Sequence, residues 1–438
     1  MSTSQAAPRG PVALIIATTP WPLSARLAVR LIRHGCTVDA LCPRGHALRK
    51  ISGMRALHSY SAPDPMKALE RAIATSKPDI LVPCDDRTVW QLHVLQERRP
   101  DLRQLIERSM GAPRSFPLLR SRAGLMQQAA QMGIRVPRTR AIGGPEEILA
   151  WFRDHPGKAV VKLDGSWGGT GVRVVASAQE AVAAWQQFSR PRSRLVAWKR
   201  SLIDHDPLAF GAGYPAEPRG MSIQEFIPGH PANTMVAAWL GRPLGMVSVD
   251  VLCAQDPTAP STIVRLIQNE QMARISATLV AGLGLSGFHG LDFILEEGTN
   301  APYLIEVNAR CTQLGHLVLP EQGDLAGMIC AQLGCRPQSQ PDATVTGSLI
   351  AFYPQALACN PCSTYMAQSH HDVPWEEPRL VRTLIRNRWV AHQWLARVYG
   401  WLRGKESNPV PGIMGFLRSM AHSGRHHPGH IDRLSDAR

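Results

Sequence analysis

No apolar run in these 438 residues approaches the length of a membrane-spanning helix. The apolar stretch Pro11 to Thr19 is short, lacks a basic stretch and has no small-residue cleavage pattern, so it reads as a first strand and not as a signal peptide. The nine cysteines are odd in number and scattered, which excludes a disulfide scaffold and suits free thiols in a reducing, cytoplasmic compartment. Cys359-Asn-Pro-Cys362 has His370 and His371 downstream, but no second CxxC or spaced His pair completes a zinc site, and it reads as a loop. The first strand ends in Thr18-Thr-Pro-Trp-Pro22 with no Gly-x-Gly-x-x-Gly, so a dinucleotide fingerprint is absent. No internal repeat is present, which excludes a duplicated architecture.

What is there suits a soluble globular chain of two or three domains, 44% hydrophobic and 19% charged. Its net charge of +14 is unevenly placed: residues 379–438 hold eleven Lys/Arg against three Asp/Glu, or +8 of the total. The remaining +6 over the rest of the chain is unremarkable, and no nucleic-acid partner is expected. Leu380 to Leu402 has apolar residues at helical spacing with Arg382, Arg386 and Arg397 opposite. That pattern fits a packed terminal helix with a solvated face, or a helix lying on an anionic membrane or acidic partner through residues 379–438. Ser419 to Arg438 is polar enough to stay disordered.

Along the chain, strands at Val12 to Ala17, Cys36 to Cys42 and Asp79 to Pro83 alternate with helices at Leu23 to His34 and Pro65 to Ser76, predicting a parallel α/β domain over residues 1–112. Asp85 and Asp86 stand at the carboxyl end of a strand, where they suit a helix N-terminus or a substrate contact. Residues 113–340 form a mixed α+β second domain, with a lid-like part at about 140–225 that contains an irregular insert, Pro191 to Arg219. Residues 341–438 are a C-terminal extension, expected to be helical.

Two hairpins carry the chemistry. Lys158 to Leu163 and Val172 to Ala176 flank Gly165, Ser166, Gly168, Gly169, Thr170 and Gly171. Such glycines let backbone N–H groups face phosphate oxygens, and Lys162 adds a point charge. The loop leads into a strand and lacks Gly-Lys-Ser/Thr, so it is no Walker A loop. In the second hairpin, Phe288 to Glu296 and Ala301 to Asn308, a turn centred on Thr299 puts Asp292 opposite Glu306. Two like charges about 5 Å apart repel unless something neutralises them. Asp292, Glu306 and Asn308 are the all-oxygen set that Mg²⁺ uses when phosphates supply the other ligands, with Mn²⁺ as the alternative ion. Arg310, on the same face, suits a transferring phosphoryl group, and Arg265 on the strand Ser261 to Ile267 suits a second phosphate contact or a sheet-face position. Cys311, Thr312 and His316 follow the metal strand, within reach of an acceptor pocket or in structural roles.

Over roughly residues 10–335 the chain resembles the ATP-grasp superfamily, most closely its carbamoyl-phosphate-synthetase-like branch with biotin carboxylase and related ligases. A pre-grasp domain, strand lysine, glycine loop, hinge and terminal Glu-x-Asn-x-Arg strand occur in the family's order. The resemblance implies that Gln224, Glu225, Phe226 and Ile227 present backbone groups to the adenine. It places Arg122, where the family has lysine, on the α/β-phosphates beside Lys162, and Asn308-Ala309-Arg310 where the family has Asn-Pro-Arg. No acidic residue in Pro231-Ala-Asn-Thr234 matches the family's ribose contact. The implied activity is an ATP- and Mg²⁺-dependent ligation of a small carboxylate to an amine through an acylphosphate. A bicarbonate-using carboxylase or carbamoylating enzyme, or a nucleotide-binding module without ligase chemistry, are the alternatives.

Overall fold

The computed structural model describes residues 10–19, 21–60, 64–166, 171–190, 220–255, 260–320, 323–335 and 345–385. Strands β1 (Val12–Ile16), β2 (Thr37–Leu41), β3 (Ala56–His58) and β4 (Ile80–Pro83) form a parallel sheet in the order β3-β2-β1-β4. β1 is buried on both faces, as its unbroken run of aliphatic residues requires. The helix Asp86–Arg98 starts on a capping box: the Asp85 carboxylate accepts from the N–H of Thr88 and, across the sheet, from the N–H groups of Thr18 and Thr19. Asp85 therefore serves the fold, closing the loop after β1.

A second sheet, β5 (Thr139–Ile142), β6 (Ala159–Leu163), β7 (Val172–Val175) and β8 (Met221–Glu225), is antiparallel in the order β5-β8-β6-β7. Helices Pro145–Asp154 and Ala178–Ser189 cover one face through Ile148, Trp151, Ala181 and Ala184. This sheet covers the residues expected to form a lid-like part, and it holds Lys162 on β6. Most of the segment joining the Ala178–Ser189 helix to β8, the insert of the sequence reading, lies outside the described residues.

The largest sheet contains β9 (Gly229–Trp239), β10 (Arg242–Ala254), β11 (Ser261–Ile267), β12 (Gly287–Glu296) and β13 (Pro302–Asn308), with a two-stranded piece, β14 (Val318–Leu319) and β15 (Gly323–Asp324), beside it. β16 (Leu349–Phe352) and β17 (His370–Asp372) complete the order β13-β12-β9-β10-β11-β16-β17. The start of the C-terminal extension is thus built into the central sheet, β16 pairing antiparallel with β11. One face packs on helices Arg122–Gln131 and Glu270–Leu283 through Leu125, Met126, Met272, Leu279 and Phe293. The other packs on the first domain and the helix Leu325–Gln332 through Met235, Val247, Val249, Leu27, Leu31 and Ile329. Asn269 caps the Glu270–Leu283 helix by accepting from the N–H of Met272. In the extension, the helix Pro378–Ile385 buries Leu380, Val381 and Leu384, so the described start of the basic segment is packed. Residues 386–438 lie outside the described set. Among the described residues no helix is long and apolar enough to cross a membrane.

Candidate active site

Asp292 on β12 and Glu306 on β13 are cross-strand partners, as read from the sequence, but by a different route. Near the turn the pairs are Leu295↔Pro302, Ile294↔Tyr303 and Phe293↔Leu304, a register that would set Asp292 opposite Ile305. A β-bulge shifts the ladder by one residue and brings Glu306 into place. It also reverses the alternation of faces, so that Leu304 and Val307 both enter the apolar core while Glu306 and Asn308 share the opposite face with Asp292. The bulged carbonyl of Ile305 turns to the lid and accepts a hydrogen bond from Lys162 Nζ at 3.2 Å. One irregularity in β13 therefore places the acids and anchors the cation.

Arg122, at the first turn of its helix, closes the site from the third side. Its guanidinium reaches Glu306 Oε1 at 2.6 Å and donates to the carbonyls of Leu163 and Ser166, and its backbone N–H donates to Asp164 Oδ1. Ser166 Oγ lies 3.3 Å from the same guanidinium and donates to the Leu163 carbonyl. Gly171 is held so close to this turn that a Cβ there would sit 2.2 Å from Ser166 Oγ, so glycine is a packing requirement at that position. Gly165 has φ +63°, which also favours glycine. Gly168, Gly169 and Thr170 lie outside the described residues.

Four further contacts were not read from the sequence. Asn233 on β9 pairs with Asp292 on its other side and donates to Asp292 Oδ1 at 2.6 Å. Asn308 Nδ2 donates to Asp292 Oδ2 at 3.0 Å, while Asn308 Oδ1 accepts from Arg310. Arg310 Nε in turn donates to Asp86 Oδ1 at 3.0 Å, so the first domain holds the arginine in place. A cross-strand neighbour 59 positions away and an inter-domain ion pair leave no local pattern to find.

The two acids titrate in opposite directions. Burial, then the charge of Glu306, pushes the Asp292 carboxyl up to about 6 against the amide hydrogen bonds and the charge of Arg310. Burial alone would raise Glu306 too, but the charges of Arg122 and Lys162 outweigh it and leave that carboxyl below its ordinary value. Lys162 falls to about 8, chiefly through burial, with Glu306 partly restoring it. Burial works against the charge of Arg310, but Asp86, with Asp85 and Asp292, outweighs it and raises the guanidinium. The site thus holds one carboxylate already matched by cations and a second that is under-compensated.

Other expected site residues stand elsewhere. Arg265 pairs with Asp250, which pairs with Ala232, which pairs with Phe293; Asp292 and Asn233 align instead with Val249 and Leu266. Arg265 is therefore one position out of phase, exposed on the opposite face of the sheet, and is not brought to the acids. In the hinge, Gln224 is buried and donates to Thr139, and Glu225 pairs with Arg138. The N–H groups of Glu225 and Phe226 donate to the carbonyls of Arg138 and Lys158, and Ile227 is buried. Those two donors are engaged within the protein. His316 is buried in an ion-pair cluster with Asp372 and Arg26, Cys311 is buried, and Thr312 contacts Met235. A groove of about 560 Å³ lined by Ile134, Arg135, Arg274, Ile275 and Pro302 lies on the outer side of the helices and includes none of the acids or cations above.

Residues 214–313 match the family model for the ATP-grasp domain. No curated protein sequence matches the chain. Among solved structures, N5-carboxyaminoimidazole synthetase from Staphylococcus aureus is similar at 13% identity, with 77% of this chain and 80% of that chain covered and a TM-score of 0.53. Carboxyaminoimidazole ribonucleotide synthase from Aspergillus clavatus, solved with ATP, is similar at 14% identity over 76% and 79% of the two chains, with a TM-score of 0.54. Biotin carboxylase from Campylobacter jejuni aligns at 13% identity over 75% and 72%, with a TM-score of 0.52. The fold is that of the ATP-grasp proteins, with the parallel N-terminal sheet expected of it.

Proposed function

We propose that this ATP-grasp chain is an ATP- and Mg²⁺-dependent ligase that activates a small carboxylate as an acylphosphate and couples it to an amine. The observation that carries the reading is the Asp292–Glu306 pair, facing across a bulged hairpin and flanked by Lys162 and Arg122. The donor set fits a hard divalent ion. Asp292 is under-compensated where it stands, its oxygens accept a hydrogen bond each from Asn233 and Asn308, and Glu306 engages a cation through Oε1. Asn308 would join the set by turning its amide oxygen from Arg310 toward the acids.

Asp292, Glu306 and Asn308 would hold the magnesium ion, which would supply charge neutralisation at the transferring phosphoryl group. Lys162 and Arg122 would hold the α/β-phosphates, Arg122 exchanging its bond to Glu306 for a phosphate oxygen. Gly165, Ser166 and Gly171 set the base of the loop whose tip, Gly168 to Thr170, would close over the phosphates, and Gln224 to Ile227 would edge the adenine. Arg310, oriented by Asp86, would stabilise charge on the transferring phosphoryl group. Phosphoryl transfer asks mainly for positioning and charge neutralisation, and these residues offer both.

The test is ADP formation across carboxylate and amine pools, with products identified by mass. Phosphate release that needs both a carboxylate and an amine supports the ligase; release with bicarbonate alone would select carboxylation, and nucleotide binding without release would select a binding module. Glu306→Gln should abolish release in a protein that still folds.

A further inference from the structure

The nine cysteines scattered in sequence are not all scattered in space. The helix Leu23–Arg33 ends in His34-Gly35-Cys36, where Gly35 takes φ +85° and the N–H of Cys36 returns to the carbonyl of Leu31 at 3.0 Å. The helix Leu325–Gln332 ends the same way: Gly334 takes φ +76° and the N–H of Cys335 returns to the carbonyl of Cys330 at 3.0 Å. In both, a left-handed glycine folds the following cysteine back over its own last turn. The helices pack closely, and a Cβ on Gly327 would come within 2.7 Å of the His34 ring. Two C-terminal turns thus deliver three sulfurs to one point, with Cys36 Sγ 3.3 Å from Cys330 Sγ and 3.1 Å from Cys335 Sγ.

Cys36 and Cys330 are buried and Cys335 is half-buried, so the cluster has two inner ligands and one at the surface. Among the described residues this is the one group of three or more His, Cys, Asp or Glu side chains whose donor atoms could share an ion. His34 is occupied elsewhere, its Nε2 lying 2.7 Å from Asp324 Oδ2, an oxygen that Arg30 also bonds. We propose that Cys36, Cys330 and Cys335 bind a thiophilic metal ion, Zn²⁺ or Cu⁺, which pins the first domain to the helix Leu325–Gln332. Three thiolates without a competing hard ligand select such ions over Mg²⁺, and a fourth position is left for water or an external ligand. A Zn–S bond of about 2.3 Å sets tetrahedral sulfurs about 3.8 Å apart, so the thiols must part by roughly half an ångström. Movement of the half-buried Cys335 widens its own distance to Cys36, while the buried Cys36 and Cys330 must part by rotation of their thiols about Cα–Cβ. Binding releases the thiol protons, so the ion should be lost as pH falls.

The test uses the full chain purified under reducing conditions. Metal analysis should find one zinc or copper per chain, the identity of the ion distinguishing the two. Co²⁺ added to stripped protein should give a thiolate-to-metal charge-transfer band. Alkylation mapped by mass spectrometry should show the half-buried Cys335 shielded with the ion bound and reactive after chelation, a readout that needs no variant. Cys36→Ser, Cys330→Ser and Cys335→Ser should each lose the ion, while Cys362→Ser keeps it. Nine free thiols with no bound ion, a disulfide between two of the three, or an ion whose binding leaves Cys335 unshielded would each overturn the site.

Discussion

Replacing either member of the acid pair with its amide should change stability in opposite directions when no metal is present. Asp292 rises from 3.8 to about 6 in the folded protein. That difference of roughly two units corresponds to about 3 kcal/mol, and partial solvent access reduces it to about 1–2 kcal/mol. Because its folded pKa is raised, the folded state takes up this proton first. The cost is present above about pH 6 and relieved as pH falls toward 4. Asp292→Asn should therefore stabilise the metal-free protein near pH 7.5, with the gain shrinking at about pH 5. Glu306 is depressed, so its contribution is present above the ordinary glutamate range and lost as pH falls through its folded value. Glu306→Gln strands Arg122 and Lys162 without their counter-charge. With side chains 12% and 26% exposed for the Arg122–Glu306 pair, the loss should be about 1–3 kcal/mol, below the 3–5 of a fully buried pair. Urea midpoints at the two pH values, with and without Mg²⁺ and ADP, read both effects. If Asp292→Asn is no more stable than wild type at the higher pH, or Glu306→Gln gains stability, the like-charge account of the pair is wrong.

Lys162 titrates at about 8, so ADP affinity should weaken as pH rises through that value. Lys162→Met should flatten the profile, and an unchanged profile would remove Lys162 from the phosphate site. Gly171→Ala should displace Ser166 and the Arg122 contacts that depend on it. Calorimetry should show ADP binding weaker by about tenfold or more, the worth of one charge-assisted hydrogen bond. Asp86→Asn frees Arg310 from its inter-domain partner. Turnover should fall while ADP affinity holds, whereas an equal fall in both would mean that Asp86 only supports the fold.

The sequence made the acid pair legible because cross-strand pairing in a short hairpin depends on few residues. Yet the expected turn centre at Thr299 compensated for an unseen bulge, since a bulge changes hydrogen bonding without a required residue type. Lys162, Gly165 and Gly171 could be placed for the same local reason, and the parallel N-terminal sheet followed from its alternating elements. Arg265 could not be assigned to a face, because its side of the sheet depends on the register of β11 with β10 and β9. Asn233 and Asp86 meet the site only through tertiary packing. The pairing of β16 with β11 is likewise long-range, which is why the extension read as separate. The Gly-Cys steps after two apolar helices were visible, but nothing in one chain says that two helix ends will meet.

The central claim is that Asp292 and Glu306 together hold the nucleotide's divalent ion, and electron paramagnetic resonance of Mn²⁺ with ADP tests it most directly. Wild type should immobilise one Mn²⁺ per chain in an ADP-dependent way, and Asp292→Asn and Glu306→Gln should each lose it. Undiminished Mn²⁺–ADP binding in both folded variants would contradict the account.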